Sequence, residues 1–179
     1  MLKIENTALL LIDIQGKLAQ LMHDKDLLFT NLQKLVKGVR VLSLPVLWVE
    51  QNPAGLGSTI PEVADLLPDV EPVSKMSFSS CRNDTFLQAL KDVNCKQVLV
   101  AGIETHICVY QTAADLVAMG VEVQVVTDAV ASRTPENKAI GLQKMRDAGA
   151  RLTSVETALF ELLRVAEGER FKEIIRIVK

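Results

Sequence analysis

Short apolar, β-branched runs alternate along this chain with longer stretches of helical periodicity, and that alternation restricts the fold more than any other property of the sequence. Ala8-Leu-Leu-Leu-Ile-Asp13 reads as a first strand, apolar throughout, as expected when both faces of a sheet are covered. Residues from about Lys25 to Leu44 form a helical pattern with Leu28, Leu32, Leu35, Val36 and Val39 on one face. Pro45-Val-Leu-Trp-Val-Glu50 is a second strand, followed by a Gly/Pro/Asn-rich loop from Gln51 to Thr59. Glu62 to Leu67 reads as a short helix and Val70 to Val73 as a weak strand leading to Lys75. Asn83 or Asp84 caps a helix running to about Val93.

The second half repeats the alternation. Gln97 to Gly102 is a strand, Ile107 to Met119 a helix stopped by Gly120, and Val121 to Val126 a strand. Thr134-Pro135-Glu136 is a helix start with an N-cap, a proline at the first helical position and an acid in the first turn. That helix ends near Gly149, Arg151 to Ser154 forms a last strand, and Ser154 caps a helix to about Val165. Short connections between such elements imply right-handed crossovers and a three-layer α/β/α sandwich around a mostly parallel, six-stranded, doubly wound (Rossmann-like) sheet. One domain over residues 1–179 is expected, with 169–179 as a C-terminal helix or arm for contacts between copies.

Composition narrows the function classes. Hydrophobic residues are 49% and charged residues 23% of the 179, the balance of a chain that buries a sizeable core. The net charge is −2 and aromatics are 4%, with no basic stripe, so a nucleic-acid surface is not expected. No apolar run approaches the ~20 residues of a membrane span. Three cysteines without a Cys-x-x-Cys spacing, and a start without a signal-peptide pattern, suit a reducing cytoplasm. Two widely separated histidines make a His-rich metal site improbable.

Cys108 is the most suggestive single residue. It follows a buried-strand run, a glycine and a short polar turn, at the point where a helix begins. Open α/β folds place ligands at the carboxyl ends of their strands, and a helix N-terminus favours a thiolate. A lone Cys is nonetheless most often a small buried hydrophobe. His106 is two residues away and points elsewhere in most turns, so a Cys–His dyad is disfavoured. Asp13 ends an apolar strand at the same sheet edge, where a carboxylate with raised pKa acts as a base; taken alone it reads as a turn cap. Lys75 follows the weak strand and could place a positive charge beside the thiol; taken alone it reads as a solvated lysine.

Together these positions resemble the isochorismatase-like cysteine hydrolases. The resemblance rests on Ala8-Leu-Leu-Leu-Ile-Asp-Ile-Gln15, Lys75-Met-Ser-Phe-Ser79, Val100 through Asp115, and Val126-Thr-Asp-Ala-Val-Ala-Ser-Arg133. The third segment is the specific one, with Gly102, Thr105, Cys108 and Val109 in fixed spacing, then Thr112 and Ala113. The resemblance implies an Asp13–Lys75–Cys108 triad, a cis peptide at Ile103–Glu104, and an oxyanion hole from the backbone N–H groups of Glu104 and Cys108. It implies hydrolysis of a small amide or related carbonyl compound through a Cys acyl-enzyme, no organic cofactor, and a homo-oligomer. Gln51, Phe78, Glu104 and Tyr110 are the expected lining of the substrate pocket. Nicotinamidase-type relatives hold a metal through an Asp-x-His motif, but Trp48 to Gly57 contains no His, so no metal ligands are expected here. The presence of Cys108 argues against isochorismatase activity proper. The rival expectation is a catalytically silent, oligomeric binding or scaffold protein of the same fold.

Overall fold

Strand β1 (Thr7–Ile12) is buried at every position because a strand flanks it on each side and a helical layer covers each face. The computed structural model describes residues 1–179. β1 pairs in parallel with β2 (Val46–Gln51) and with β4 (Gln97–Ile103). β3 (Val73–Lys75), β5 (Glu122–Ala131) and β6 (Arg151–Thr153) complete a six-stranded, all-parallel sheet of order β3-β2-β1-β4-β5-β6. The strand order reverses between β1 and β4. Loops leaving the carboxyl ends of those two strands diverge to opposite faces and open a crevice, the place where such sheets bind ligands.

Helices α1 (Gly16–Gln20), α2 (Lys25–Val41), α4 (Pro61–Ala64), α8 (Val155–Leu163) and α9 (Gly168–Val178) supply buried side chains to one face. The other face is covered by α5 (Asp84–Val93), α6 (Tyr110–Ala118) and α7 (Pro135–Asp147), through Phe86, Leu90, Ala113, Leu116 and Met145. The caps form where the sequence offers them. Asn83 Oδ1 accepts from the Phe86 N–H at 2.9 Å, and Thr134 Oγ1 accepts from Asn137 N–H at 3.2 Å ahead of Pro135. Segment 168–178 is a helix packed on α2 and α8, with Ile174 fully buried.

Four details differ from the sequence pattern. β3 lies at Val73–Lys75, not 70–73, because its register sets Gln51 opposite Lys75. A short helix, α3 (Pro53–Leu56), forms in the loop after β2. β5 continues to Ala131, past the polar Thr127 and Asp128, with a register shift opposite Val100 to Gly102. The helix expected from Ile107 begins instead as a π-helical turn, Thr105–Val109, and becomes α-helical only at Tyr110.

Gly102 shows how tightly β1 and β4 meet. Its φ is +123°, and a Cβ there would lie 2.1 Å from the Ile12 carbonyl oxygen, a backbone atom with no freedom to retreat. Gly102→Ala is therefore expected to cost about 3 kcal/mol or more. Urea denaturation checks this; a loss under about 1 kcal/mol would show that the strands can separate here.

Candidate active site

Asp13 is the first residue past β1. Its backbone is left-handed (φ +54°), and its N–H donates to the Val49 carbonyl at 3.1 Å, which turns the side chain out of the strand pleat. Gln15, fully buried, ties the turn to its neighbours. Its Nε2 donates to the carbonyls of Gln51 (3.1 Å) and Gly57 (2.6 Å), and its Oε1 accepts from the Gln51 N–H at 2.6 Å.

Lys75, the last residue of β3, reaches into this turn. Its Nζ donates to Asp13 Oδ2 at 2.8 Å and Gln51 Oε1 at 2.9 Å, and lies 3.3 Å from the Ser77 and Phe78 carbonyls. The two side chains of the pair are 0% and 2% exposed. Burial pushes the Asp13 carboxyl above the usual carboxylate range, against the pull of Lys75. Asp13 Oδ1 is buried without a hydrogen bond of sound geometry, and the Cys108 thiol lies close enough to interact with this carboxylate.

Cys108 sits in the π-helical turn after β4, 7% exposed. Gly141 of α7 lets that turn pack closely, since a Cβ there would meet the Thr105 carbonyl at 2.6 Å. The pre-formed thiolate expected from a helix start is not what results. Burial, then the Asp13 carboxylate, pushes the thiol up to about 12, and Lys75 offsets only part of this. The resting arrangement is a protonated thiol beside a carboxylate that is unusually ready to take a proton.

The Ile103–Glu104 peptide is cis, as the resemblance implied. The Glu104 carbonyl accepts from Ile107 N–H (3.0 Å) and Val109 N–H (3.3 Å), while the Glu104 N–H has no acceptor within the protein. The Glu104 carboxylate is buried and accepts from Arg133 Nε at 2.6 Å. His106 Nδ1 is 3.0 Å from Ser132 Oγ and its Nε2 3.9 Å from Glu104 Oε2, so this histidine serves Glu104's surroundings rather than the thiol.

A cavity of about 260 Å³ opens on this cluster, lined by Asp13, Gln51, Phe78, Glu104, Cys108 and Arg133 with the apolar Leu18, Leu56, Ile103 and Ile107. Of the expected lining residues, Gln51, Phe78 and Glu104 are present. Tyr110 is not: two positions past Cys108, it opens α6 with its ring under the Lys144 ammonium, 5.0 Å from centroid to Nζ. Arg133 joins the lining as a residue the sequence reading did not place there. It reaches the cavity because β5 runs on to Ala131, opposite Ile103, and the unbroken run Ala129-Val-Ala131 was the signal for that extension. At the position of the nicotinamidase metal motif, Glu50 Oε1 accepts from Thr59 N–H (2.7 Å) and Oγ1 (2.8 Å), a structural role.

Comparison with known proteins agrees with this fold. The isochorismatase domain profile matches residues 7–157. Isochorismatase domain-containing protein 2A of Mus musculus is 36% identical over 177 residues, covering 98% of this chain and 84% of its own. Among solved structures, the MAR1 ribonuclease from Caenorhabditis elegans superposes with a TM-score of 0.91 at 34% identity, over 99% of this chain and 91% of its own. YcaC from Pseudomonas aeruginosa, with hexane-2,5-diol and covalent acrylamide, gives a TM-score of 0.93 at 27% identity over 98% and 90% of the two chains. The YcaC gene product from Escherichia coli, an octameric hydrolase of unknown specificity, gives 0.93 at 26% identity over 98% and 88%. With the domain match spanning most of its length and a relative of this similarity along nearly all of it, the chain belongs to the isochorismatase family and has that family's hydrolase fold.

Proposed function

We propose that this protein is a metal-independent cysteine hydrolase acting on a small amide or related carbonyl compound. The observation that carries the reading is the Lys75–Asp13 pair, sealed from water and set against the Cys108 thiol at the end of a 260 Å³ cavity. Such a pair is costly to bury, and it lies where a proton must move. The metal-free assignment follows from the donor set: no histidine lies between Trp48 and Gly57, and Glu50 is already committed to Thr59.

In the proposed reaction Cys108 Sγ attacks the carbonyl carbon as Asp13 takes the thiol proton. Lys75 holds the Asp13 carboxylate in place and balances the charge on sulfur. The tetrahedral oxyanion is received by the backbone N–H groups of Glu104 and Cys108. Asp13 then returns its proton to the nitrogen, the C–N bond breaks, and the amine or ammonia leaves. Water, deprotonated by Asp13, opens the thioester to give the carboxylic acid and restore the thiol.

The covalent acrylamide of the P. aeruginosa neighbour supports a reactive nucleophile in a protein of this fold. The octameric neighbour supports a homo-oligomer, and the three unpaired cysteines suit a cytoplasmic setting. No helix is long and apolar enough to cross a membrane. The ribonuclease name of the C. elegans structure suggests a different substrate. A net charge of −2 and a mostly apolar cavity give poor footing to a polyanion.

The direct test is incubation with a panel of short primary amides. Release of ammonia, with an acyl adduct on Cys108 by mass spectrometry that Cys108→Ala abolishes, is expected. RNA cleavage without amide turnover or adduct would overturn the reading. Asp13→Asn separates the proton steps. Hydrolysis should fall at least about a hundredfold for want of a base and acid. Alkylation of Cys108 by iodoacetamide at pH 8 should become faster, because the carboxylate that holds the thiol protonated is gone. The acid limb of kcat/KM should lie above the ordinary Asp range, near pH 4, since activity needs ionised Asp13 and burial raises its pKa. An acid limb below pH 4 would show that Asp13 is not the base.

A further inference from the structure

We propose that Glu104 and Arg133 form a charge pair that sets how readily Cys108 releases its proton, the buried Glu104 carboxylate opposing ionisation of the thiol and the Arg133 guanidinium offsetting it. The proposal rests on the reading of Cys108 as nucleophile and adds two positioning residues to it.

Two oppositely charged pairs flank one thiol, and they are built differently. Asp13 and Lys75 are both sealed from water. In the second pair only the anion is sealed: the Glu104 side chain is 4% exposed, whereas Arg133, bonded to it at 2.6 Å, is 54% exposed. Both residues line the same cavity as Cys108. Glu104 is four positions before the cysteine, and its place in the same cavity wall sets a negative charge where it opposes a thiolate. Its Oε2 is buried without a hydrogen bond, with His106 Nε2 at 3.9 Å, so Arg133 is the one cation hydrogen-bonded to this carboxylate.

The groups around the thiol can be named element by element. Asp13 comes from the end of β1, Lys75 from β3, Glu104 and His106 from the turn after β4, and Arg133 from the segment after β5. α7, packed on the turn, contributes Lys144, which is held over the Tyr110 ring. Because Arg133 sits at the wet edge of the cavity, its offset of Glu104 is weakened by water.

The test is the rate of Cys108 alkylation by iodoacetamide from pH 7 to 9, resolved by peptide mass spectrometry so that Cys81 and Cys95 serve as internal references. Glu104→Gln keeps shape and hydrogen bonding but removes the charge, and should raise the rate about threefold or more, half a pKa unit. Arg133→Met should lower it by a similar factor, and Arg133→Lys should stay near wild type. Opposite signs are required; a purely structural pair would shift both variants alike or neither, and that result overturns the proposal. Arg133 is half exposed, so its variants report even where Glu104→Gln does not fold. If Asp13→Asn leaves the rate unchanged while these variants move it, the functional reading fails and the charge pair stands. If Asp13→Asn moves it and these do not, the charge pair alone fails.

Discussion

The ion pair between Lys75 and Asp13 is the interaction around which this end of the molecule is arranged. A lysine ammonium with no exposure is among the most expensive groups to bury, and here it is met by a carboxylate, an amide oxygen and two nearby backbone carbonyls. Each acceptor depends on a separate element. Asp13 requires the left-handed residue after β1, Gln51 the end of β2, and Ser77 and Phe78 the chain just past β3. The Gln15 side chain then ties the β1 turn to the backbone of Gln51 and Gly57, which fixes the acceptors relative to one another.

That arrangement determines the state of the thiol. A lone lysine near Cys108 would favour a thiolate; a lysine already spent on a buried carboxylate offsets only part of what burial first, and the carboxylate's charge second, do to the thiol. The acid and the base are thereby brought together, Cys108 pushed to about 12 and Asp13 above its ordinary range. In the proposed reaction a proton passing between them during attack avoids leaving a free thiolate in the resting protein, and leaves Asp13 holding the proton that a departing amine needs.

Much of this was legible in the residues because burial on both sheet faces writes continuous apolar runs. β1, β2 and β4 were readable from Ala8 to Ile12, Val46 to Val49 and Val98 to Ala101 for that reason. β3 was displaced because a three-residue edge strand, Val73-Ser-Lys75, has too few apolar positions to mark itself. β5 was cut short because Thr127 and Asp128 look like a strand end, whereas the register shift accommodates them and Asp128 Oδ1 accepts the Val155 N–H instead. That error concealed Arg133, whose place at the cavity depends on the last residues of β5. Tyr110 lies outside the cavity lining because it opens α6 after the π-helical turn, with its ring under Lys144. The grouping of Asp13, Lys75 and Cys108 came from the resemblance; the protonation state of Cys108 did not, because it depends on side chains converging from separate strands.

The claim at the centre of this account is that the Lys75–Asp13 pair is kept for its chemistry and not for the fold. Urea denaturation of the doubly neutralised variant, Asp13→Asn with Lys75→Met, tests it most directly. The account predicts stability within about 1 kcal/mol of the native chain, or above it, because replacing both partners removes two desolvation costs together, while Lys75→Met alone loses about 3 kcal/mol by stranding a buried carboxylate. A double variant that loses as much as the single one would contradict it, and would make the pair a structural cross-link between β1 and β3.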